Sequence, residues 1–464
     1  MNLKKQNLNR SFRMNHLALL NNRLRLFASL FVFLIFMAAC DLQSGAPLPA
    51  GSGGNSQAPI VPTAVNTPTP GVNEPIINEE NSTRETVRAL TVWVLPEYET
   101  DEETPAGNVI SQQFSTFESN HPEVQLVIEH KSIVGQGGLF DYFSTASAVA
   151  PDILPDLILV PHRSLPELVS AGVIYPLDDL IPADELQDIF PVGDELVTVD
   201  GQRYGYPYAL SGLTHAAYNT AVYSGTLPSR LDQITATNLK PAFPAAGPNG
   251  AALLFQLYLD EGGQLYNDEG ELAFETTPLL VALRRIQSLR DSGSIDDSVG
   301  DIATHEEMWS RYKSGGSSLI LTNHRRFKTE SRGAAEIGFS QFPGSTSGLT
   351  PMVDGWAWAL TTADPVRQAL ATELLLWMVN GPNMGDWTFA SQMLPARRAA
   401  IARWPQDEYT LFLSDELERT MPEPALLDST VGTVLQGAML ALFSTENPPV
   451  QAIAENAINA INGN

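Results

Sequence analysis

The residues best suited to chemistry are aromatic and polar side chains that stand near the predicted ends of strands. The twelve candidates are Glu97, Tyr98, Tyr142, His162, Arg163, Tyr208, Asn323, His324, Arg325, Asp354, Trp356 and Arg397. Aromatic rings can cover the flat CH faces of a polyhydroxylated molecule, and planar polar groups can take its hydroxyls. The set therefore predicts a binding site for a small polar solute.

Packing in the core is the competing role for each aromatic ring. A strand turns alternate residues to opposite faces, so it cannot present every side chain to a cleft. Trp93 and Trp358 stand in the middle of predicted strands and are expected in the core. Tyr208 fits packing and ligand contact equally.

No catalytic motif accompanies these candidates. The sequence has no GxSxG, no HExxH, no Walker loop and no GxGxxG opening a helix. Its seven histidines form no pair at metal spacing, and its acidic run Pro96–Thr104 lacks the central glycine of a calcium loop. We predict no catalytic residue, no metal and no cofactor. Glu97 and Asp354 leave glycoside hydrolysis open, but we favour hydrogen bonds from ligand hydroxyls to these two acids.

Strands and helices alternate in the segments that must position these residues. The first five segments are strand Ala89–Leu95, helix Ala106–Glu118, strand Val124–Lys131, helix Leu139–Ala150 and strand Pro155–Pro161. This order predicts a parallel sheet with helices on both faces. Ligands bind beyond the carboxyl ends of such strands, so the loops that follow them are expected at one crevice.

A second α/β unit is predicted after Tyr208. Its helices are expected at Ala251–Glu261, Pro278–Ser292, Thr304–Ser314, Asp364–Val379, Leu411–Leu417, Thr433–Phe443 and Val450–Ile461. Its strands are expected at Ser317–Leu321, Glu336–Phe339 and within Phe342–Thr362. Asn323, His324 and Arg325 follow the first of these strands, as His162 and Arg163 follow a strand in the first unit.

One stretch, Pro155–Asn219, has a distinctive order of segments. It reads PDLILVP, a helix that stops at Gly172, YPLDD, a hairpin over Leu196–Pro207 with Asp200-Gly201 as its turn, and LTHAAYN. In this order the sequence resembles the extracellular solute-binding proteins of family 1, the maltose-binding-like receptors of ABC importers, over about Leu90 to Arg398. The resemblance implies a type II-like periplasmic-binding-protein fold, with two α/β lobes that close on a ligand about a hinge.

The resemblance also implies lobe boundaries and a ligand class. Lobe 1 is expected over 87–207 plus 345–390 and lobe 2 over 208–344 plus 391–464, with crossings near Tyr206–Leu210, Phe342–Ser347 and Phe389–Leu394. The ligand is expected to be a carbohydrate, and Trp356 falls where family members contact it. The sequence departs from the family pattern at Asn323–Arg325, where glycine and an aromatic residue are usual. Arg325 with Arg163 could favour a phosphorylated or acidic sugar; a plain surface charge is the alternative for each arginine.

The N-terminus predicts export and a lipid anchor. A basic segment precedes the apolar run Leu26–Ala39, which suits a signal peptide over residues 1–39. The run ends in Met37-Ala38-Ala39-Cys40, which resembles a bacterial lipobox with methionine in place of the usual leucine. Cys40 is the only cysteine and is expected to carry the lipid. Residues 40–86, rich in Gly, Pro, Ser and Thr, are expected to form a disordered tether.

The charge of the chain excludes some partners. The formal net charge is −26, and six of the 27 basic residues but none of the acidic ones lie in residues 1–39. Such an acidic body repels nucleic acid and anionic membranes. We predict a monomeric, lipid-anchored receptor on the extracytoplasmic face of the cell membrane that binds a sugar and an ABC permease. A lipid-anchored carbohydrate-active enzyme and a sensor or adhesion lipoprotein are the alternatives.

Overall fold

The computed structural model describes residues 88–95, 103–146, 154–334 and 336–463. Several predictions made from the sequence concern other residues. The signal peptide, the lipidated Cys40, the tether, Glu97 and Tyr98 all lie outside the described residues.

A large mixed sheet of seven strands combines four strands from the first part of the chain with three later strands. Its strands are β1 (Arg88–Val94), β2 (Val124–His130), β3 (Leu157–Pro161), β6 (Tyr206–Ser211), β11 (Met352–Leu360), β12 (Leu394–Pro395) and β13 (Met421–Pro422). Their order is β12-β6-β11-β3-β1-β2, with β13 beside β11. β1 pairs in parallel with both β2 and β3, as the alternation of strands and helices predicted, whereas β11 runs antiparallel to β3 and β6.

A smaller sheet of four strands follows along the chain. Its strands are β7 (Thr214–Asn219), β8 (Pro241–Ala242), β9 (Leu319–Asn323) and β10 (Ile337–Ser340), in the order β10-β7-β9-β8. A two-stranded hairpin of β4 (Thr198–Val199) and β5 (Gln202–Arg203) stands apart from both sheets. Its turn has the positive φ angles predicted for Asp200 and Gly201, 50° and 80°.

Sixteen helices lie within the described residues. They are α1 (Pro105–Asn120), α2 (Leu139–Ala146), α3 (Leu165–Ser170), α4 (Ala183–Gln187), α5 (Pro191–Val197), α6 (Leu231–Ile234), α7 (Gly247–Asp260), α8 (Thr276–Asp291), α9 (His305–Lys313), α10 (His324–Glu330), α11 (Pro365–Val379), α12 (Gly381–Ser391), α13 (Arg398–Ile401), α14 (Glu408–Leu417), α15 (Thr430–Ala441) and α16 (Val450–Ile461). None of these helices is both long and apolar enough to cross a membrane.

Two of the differences from the predicted elements concern the hairpin and α12. Leu196 and Val197 form the last turn of α5, so the hairpin begins two residues later than predicted. α12 was not predicted, because its opening Gly381-Pro382 looks like a break in the chain. Proline is tolerated in the first turn of a helix, where its missing N–H has no partner to lose, and the Asn380 side chain accepts a hydrogen bond from the backbone N–H of Asn383.

The large sheet is buried on both faces, which explains its continuous apolar strands. Alternate residues of a strand point to opposite faces, and Val92 and Val94 pack in one core while Trp93 packs in the other. Trp93 and Trp358 are 2% and 0% exposed, which confirms their predicted place in the core. A third core forms around the small sheet and the helices α7, α8, α15 and α16.

The chain passes directly from the large sheet to the small one between β6 and β7. Only Gly212 and Leu213 separate these two strands. Gly212 has a φ angle of +87°, a conformation that a residue with a Cβ rarely adopts. The chain returns from β10 of the small sheet to β11 of the large sheet through residues 341–351. Because β11 pairs with β6, the two connections between the sheets lie close together.

Candidate functional site

A cleft of about 610 Å³ opens where the two sheets meet. One wall comes from the large sheet and the segment after α12, and the other comes from the end of β9 and the start of α10. The lining residues are Leu210, Ser211, Gly212, Asn323, His324, Arg325, Arg326, Thr329, Trp356, Gln392, Met393 and Leu394. The volume lies in the range usual for small-molecule sites, and the lining mixes one aromatic ring with many hydrogen-bonding groups.

Trp356 is the aromatic residue of this wall. It stands on the same face of β11 as the buried Trp358, but two residues nearer the start of the strand. There the core ends and the ring is only partly buried, with Ala209 of β6 and Pro161 of β3 as its neighbours in the sheet. An indole in this place can lie against the apolar face of a ligand.

The opposite wall is built by the first turn of α10. The Asn323 side chain caps this helix, because its Oδ1 accepts a hydrogen bond of 2.9 Å from the backbone N–H of Arg326. The guanidinium of Arg326 forms ion pairs with Glu306 (3.1 Å) and Glu330 (3.3 Å). The side chain of Arg325 is exposed and forms no salt bridge within the part of the chain that the structure describes. Arg325 is therefore the cation of this wall that is available to a solute.

His324 is the buried member of the same turn. It is 3% exposed, and its Nδ1 lies 3.3 Å from the hydroxyl of Tyr409 on α14. Burial, with a smaller contribution from the charge of Lys328, lowers the pKa of His324 to about 3, so its ring is neutral at physiological pH.

A cluster of charges lies beside the cleft, formed by His162, Arg163, Asp354, Glu423 and Asp428; we call it the Arg163 cluster. Arg163 reaches one oxygen of Asp354 and one of Glu423 at 3.2 Å each, and it also bonds Asp428. The Nδ1 of His162 lies 2.9 Å from Asp354. The guanidinium of Arg163 is thus occupied by three carboxylates, which leaves it no free edge for an acidic ligand.

Burial acts differently on two acids of the Arg163 cluster. Burial alone would raise the pKa of Asp354, but the hydrogen bond to His162 and the charge of Arg163 outweigh it, and the pKa lies below its ordinary value. For Glu423 burial dominates, and its pKa is raised despite the nearby Arg163. Asp354 is therefore a firmly charged anchor for Arg163.

The sequence matches the profile of the bacterial extracellular solute-binding proteins over residues 113–411, more than half of the chain. The chain belongs to this family. The family resemblance noticed in the sequence is thereby confirmed, and so is a location outside the cytoplasm. The family is one of binding proteins, which supports the prediction that the chain is not an enzyme.

Solved structures of sugar-binding proteins share the two-lobed α/β fold. The cyclic alpha-maltosyl-1,6-maltose binding protein of Arthrobacter globiformis is similar with a TM-score of 0.64 and 17% identity, over 81% of this chain and 98% of that one. The sugar-binding protein MalE of Xanthomonas citri has a TM-score of 0.65 and 15% identity, over 81% and 97% of the two chains. At this identity the likeness shows the fold, and the predicted fold class is confirmed.

Three residues proposed from the sequence lie away from the cleft of this solute-binding protein. Tyr208 is fully buried, with its ring 5.0 Å from that of Trp387. Arg397 is 6% exposed and pairs with Glu185 (2.6 Å) and Asp188 (2.9 Å). Tyr142 packs against Trp93, at 5.2 Å between ring centres, beneath the ammonium group of Lys131. Each of the three side chains thus has partners within the protein, and none of them is among the residues that line the cleft.

The cleft brings together four of the predicted residues: Asn323, His324, Arg325 and Trp356. His162, Arg163 and Asp354 lie in the Arg163 cluster beside it. Sequence reasoning missed the other eight lining residues, which are Leu210, Ser211 and Gly212, Arg326 and Thr329 of α10, and the segment Gln392–Leu394. The helical spacing of Arg325 and Thr329 could have indicated that Thr329 shares a face with Arg325. Gln392, with a φ angle of +59°, carries no comparable signal in the sequence.

Proposed function

We propose that this chain is the substrate receptor of an ABC importer and that it captures a carbohydrate in the cleft. The observation that carries the proposal is the pairing of Trp356 on one wall with the polar first turn of α10 on the other. A sugar ring can stack its CH face on the indole while Asn323, Arg325 and Gln392 meet its hydroxyls. Similar solved structures of binding proteins in complex with maltose, maltotriose or maltotetraose support this ligand class.

Capture would proceed by hinge closure of the two lobes. The predicted boundary at 207/208 falls inside β6, and the short Gly212-Leu213 connection offers a better place for the first crossing. The predicted boundary near 344/345 lies close to the connection after β10. The predicted boundary near 390/391 fits less well, because β12 and β13 return to the large sheet after it and the chain joins the core around the small sheet with α15. A sugar can favour the closed form only by binding it more tightly than the open one.

The acidic-sugar variant of this proposal now depends on Arg325 alone. Arg163 was its second candidate, but it is held by Asp354, Glu423 and Asp428. One exposed guanidinium can still add a hydrogen bond to a uronate or sugar phosphate. A neutral oligosaccharide is therefore the ligand we favour.

A thermal-shift screen of the purified protein tests the ligand class. The panel contains maltose, maltotriose, a cyclodextrin, galacturonate and glucose phosphate, because a ligand that binds only the folded state raises the melting temperature. We expect a saturable shift with a neutral sugar, and its loss in Trp356→Ala. Tyr266→Ala, which removes an exposed aromatic ring outside the cleft lining, is the matched control and should keep the shift. No shift with any sugar would refute the proposal.

We also propose that Cys40 carries the lipid anchor and that the protein works as a monomer beside its permease. The only cysteine of the chain stands at the end of the apolar run, where processing of a lipoprotein would expose it. Cells grown with a labelled fatty acid should yield labelled protein, and Cys40→Ser should abolish the label. A label that survives this substitution would place the lipid elsewhere.

A further inference from the structure

Three elements bring two buried histidines and a tyrosine into one hydrogen-bonded chain behind the cleft wall. His215 lies on β7, Tyr409 on α14 and His324 at the start of α10. The Nδ1 of His215 is 2.9 Å from the carbonyl oxygen of Ala216, and its Nε2 is 2.8 Å from the Tyr409 hydroxyl. The same hydroxyl is 3.3 Å from the Nδ1 of His324.

The carbonyl oxygen at one end of this hydrogen-bonded series determines which ring nitrogen of each histidine carries a proton. A carbonyl oxygen can only accept, so the Nδ1 of His215 must carry its proton. His215 is fully buried, which lowers its pKa to about 4, so the ring is neutral and its Nε2 has a free lone pair. Nε2 therefore accepts from the Tyr409 hydroxyl. With its one proton donated, the Tyr409 oxygen accepts from the Nδ1–H of His324.

This order leaves the other nitrogen of His324 without a proton. His324 is one of the residues that line the cleft, and its Nε2 is buried and has no hydrogen-bond partner within the described residues. A second proton on this ring is disfavoured by burial and by the charge of Lys328. A buried acceptor without a donor costs free energy, and a donor brought into the cleft would recover it.

We propose that the Nε2 of His324 is a proton-free acceptor just behind the cleft wall and that a small shift of this wall on binding lets it take a hydrogen bond from a hydroxyl or N–H group of the solute. The inference rests on the proposed function and narrows the ligand. A hydroxyl of a sugar brings the proton that this position needs. A carboxylate or a phosphate dianion brings none, so the charged group of an acidic sugar would have to lie away from His324.

The tautomer can be measured without any ligand. Protein labelled with a nitrogen isotope in its histidines is studied by NMR at about neutral pH, where protonated and bare ring nitrogens have well separated shifts. The signals of His324 are assigned as those missing from His324→Gln. We expect a proton on Nδ1 and a bare Nε2. A proton on Nε2, or a charged ring, would overturn the inference.

Maltotriose is the probe for the contact itself. Its binding should shift the Nε2 resonance of His324 as that nitrogen accepts a hydrogen bond. His324→Phe keeps an aromatic ring against Trp404 and Tyr409 but removes the acceptor, and should weaken maltotriose binding by about 2- to 10-fold, the usual worth of one neutral hydrogen bond. An unmoved resonance in the saturated complex, or unchanged affinity in His324→Phe, would overturn the contact.

Tyr409→Phe tests the relay through the residue that sets the tautomer. Without the hydroxyl, His324 should populate both neutral tautomers, which NMR would detect in the folded variant. The matched control is Tyr223→Phe, because among the described residues the Tyr223 hydroxyl bonds the carbonyl of Thr226 in a loop. A His324 tautomer that is unchanged in Tyr409→Phe would overturn the relay. If no sugar binds the wild-type protein, the proposed function fails, whereas the tautomer experiment still decides the relay by itself.

Discussion

Arg325 and Arg397 were both predicted from the sequence to contact the ligand, but their environments in the folded chain differ. Arg325 stands exposed on the cleft wall, whereas Arg397 is 6% exposed and bonds Glu185, Asp188 and the carbonyl of Val379. The two carboxylate partners of Arg397 lie about two hundred residues away along the chain, so no local pattern around it could predict these ion pairs. Arg397 is buried because β12 ends two residues before it and brings it next to Glu185 and Asp188.

These two environments predict very different losses of folding stability when each arginine is replaced by alanine. Arg397→Ala leaves two carboxylates partly buried without their counter-ion, and should lower the free energy of unfolding by about 3–5 kcal/mol. Arg325→Ala removes an exposed side chain and should change it by less than about 0.5 kcal/mol. Urea denaturation of both variants checks this, with sugar affinity as the second measurement. A stable Arg397→Ala with weakened sugar binding would return Arg397 to the list of ligand contacts.

At the scale of elements, the sequence predicted most strands and helices but not how they meet. α16 has the predicted bounds Val450–Ile461, since its apolar residues recur at helical spacing. Leu157–Val160 form the buried strand expected from a short apolar run. α12 was missed at Gly381-Pro382, because a capped helix start and a chain break use the same residue types. The cleft residues Gln392–Leu394 follow this missed helix, so they were missed with it.

The meeting of β7, α10 and α14 buries His215 and His324 in neutral form, and this predicts a loss of stability in acid. Both pKa values are lowered by burial, to about 4 and about 3, against about 6.5 in an unfolded chain. Below about pH 6.5 the unfolded chain therefore binds more protons than the folded one, and stability falls as the pH falls. Between pH 7 and pH 5 each histidine should cost about 2 kcal/mol.

A difference measurement isolates this effect from the carboxylates. The free energy of unfolding is measured at both pH values for the wild type, for His324→Gln and for His130→Gln, whose histidine is exposed at the end of β2. His324→Gln should lose about 2 kcal/mol less than the wild type on acidification, and His130→Gln should follow the wild type. Equal pH dependence in all three proteins would mean that His324 titrates normally in the folded state.

At the scale of the whole molecule, the cleft exists only because distant segments converge. Its lining comes from residues 210–212, 323–326, 329, 356 and 392–394. The family resemblance could place a cleft between two lobes, but the sequence could not show that Arg163 forms ion pairs with Asp354, Glu423 and Asp428. That outcome depends on β13 and the 3-10 helix Ala425–Asp428 that follows it, which bring Glu423 and Asp428 to the end of β3.

The two walls of the cleft already touch at one point, and this contact provides a test of hinge closure. The Thr329 hydroxyl lies 3.4 Å from the side-chain oxygen of Gln392 across the cleft. In a Cys40→Ser background, Thr329→Cys with Gln392→Cys can be joined by a short bismaleimide. If the cleft must open for a sugar to enter or leave, the joined protein should exchange maltotriose at least about tenfold more slowly in stopped-flow fluorescence.

The matched control joins Asn108→Cys and Gln112→Cys, neighbours on α1 whose side chains are 2.9 Å apart, and should exchange maltotriose normally. Unchanged exchange in the protein joined across the cleft would mean that the walls need not separate, and the receptor would then bind its sugar without moving its lobes.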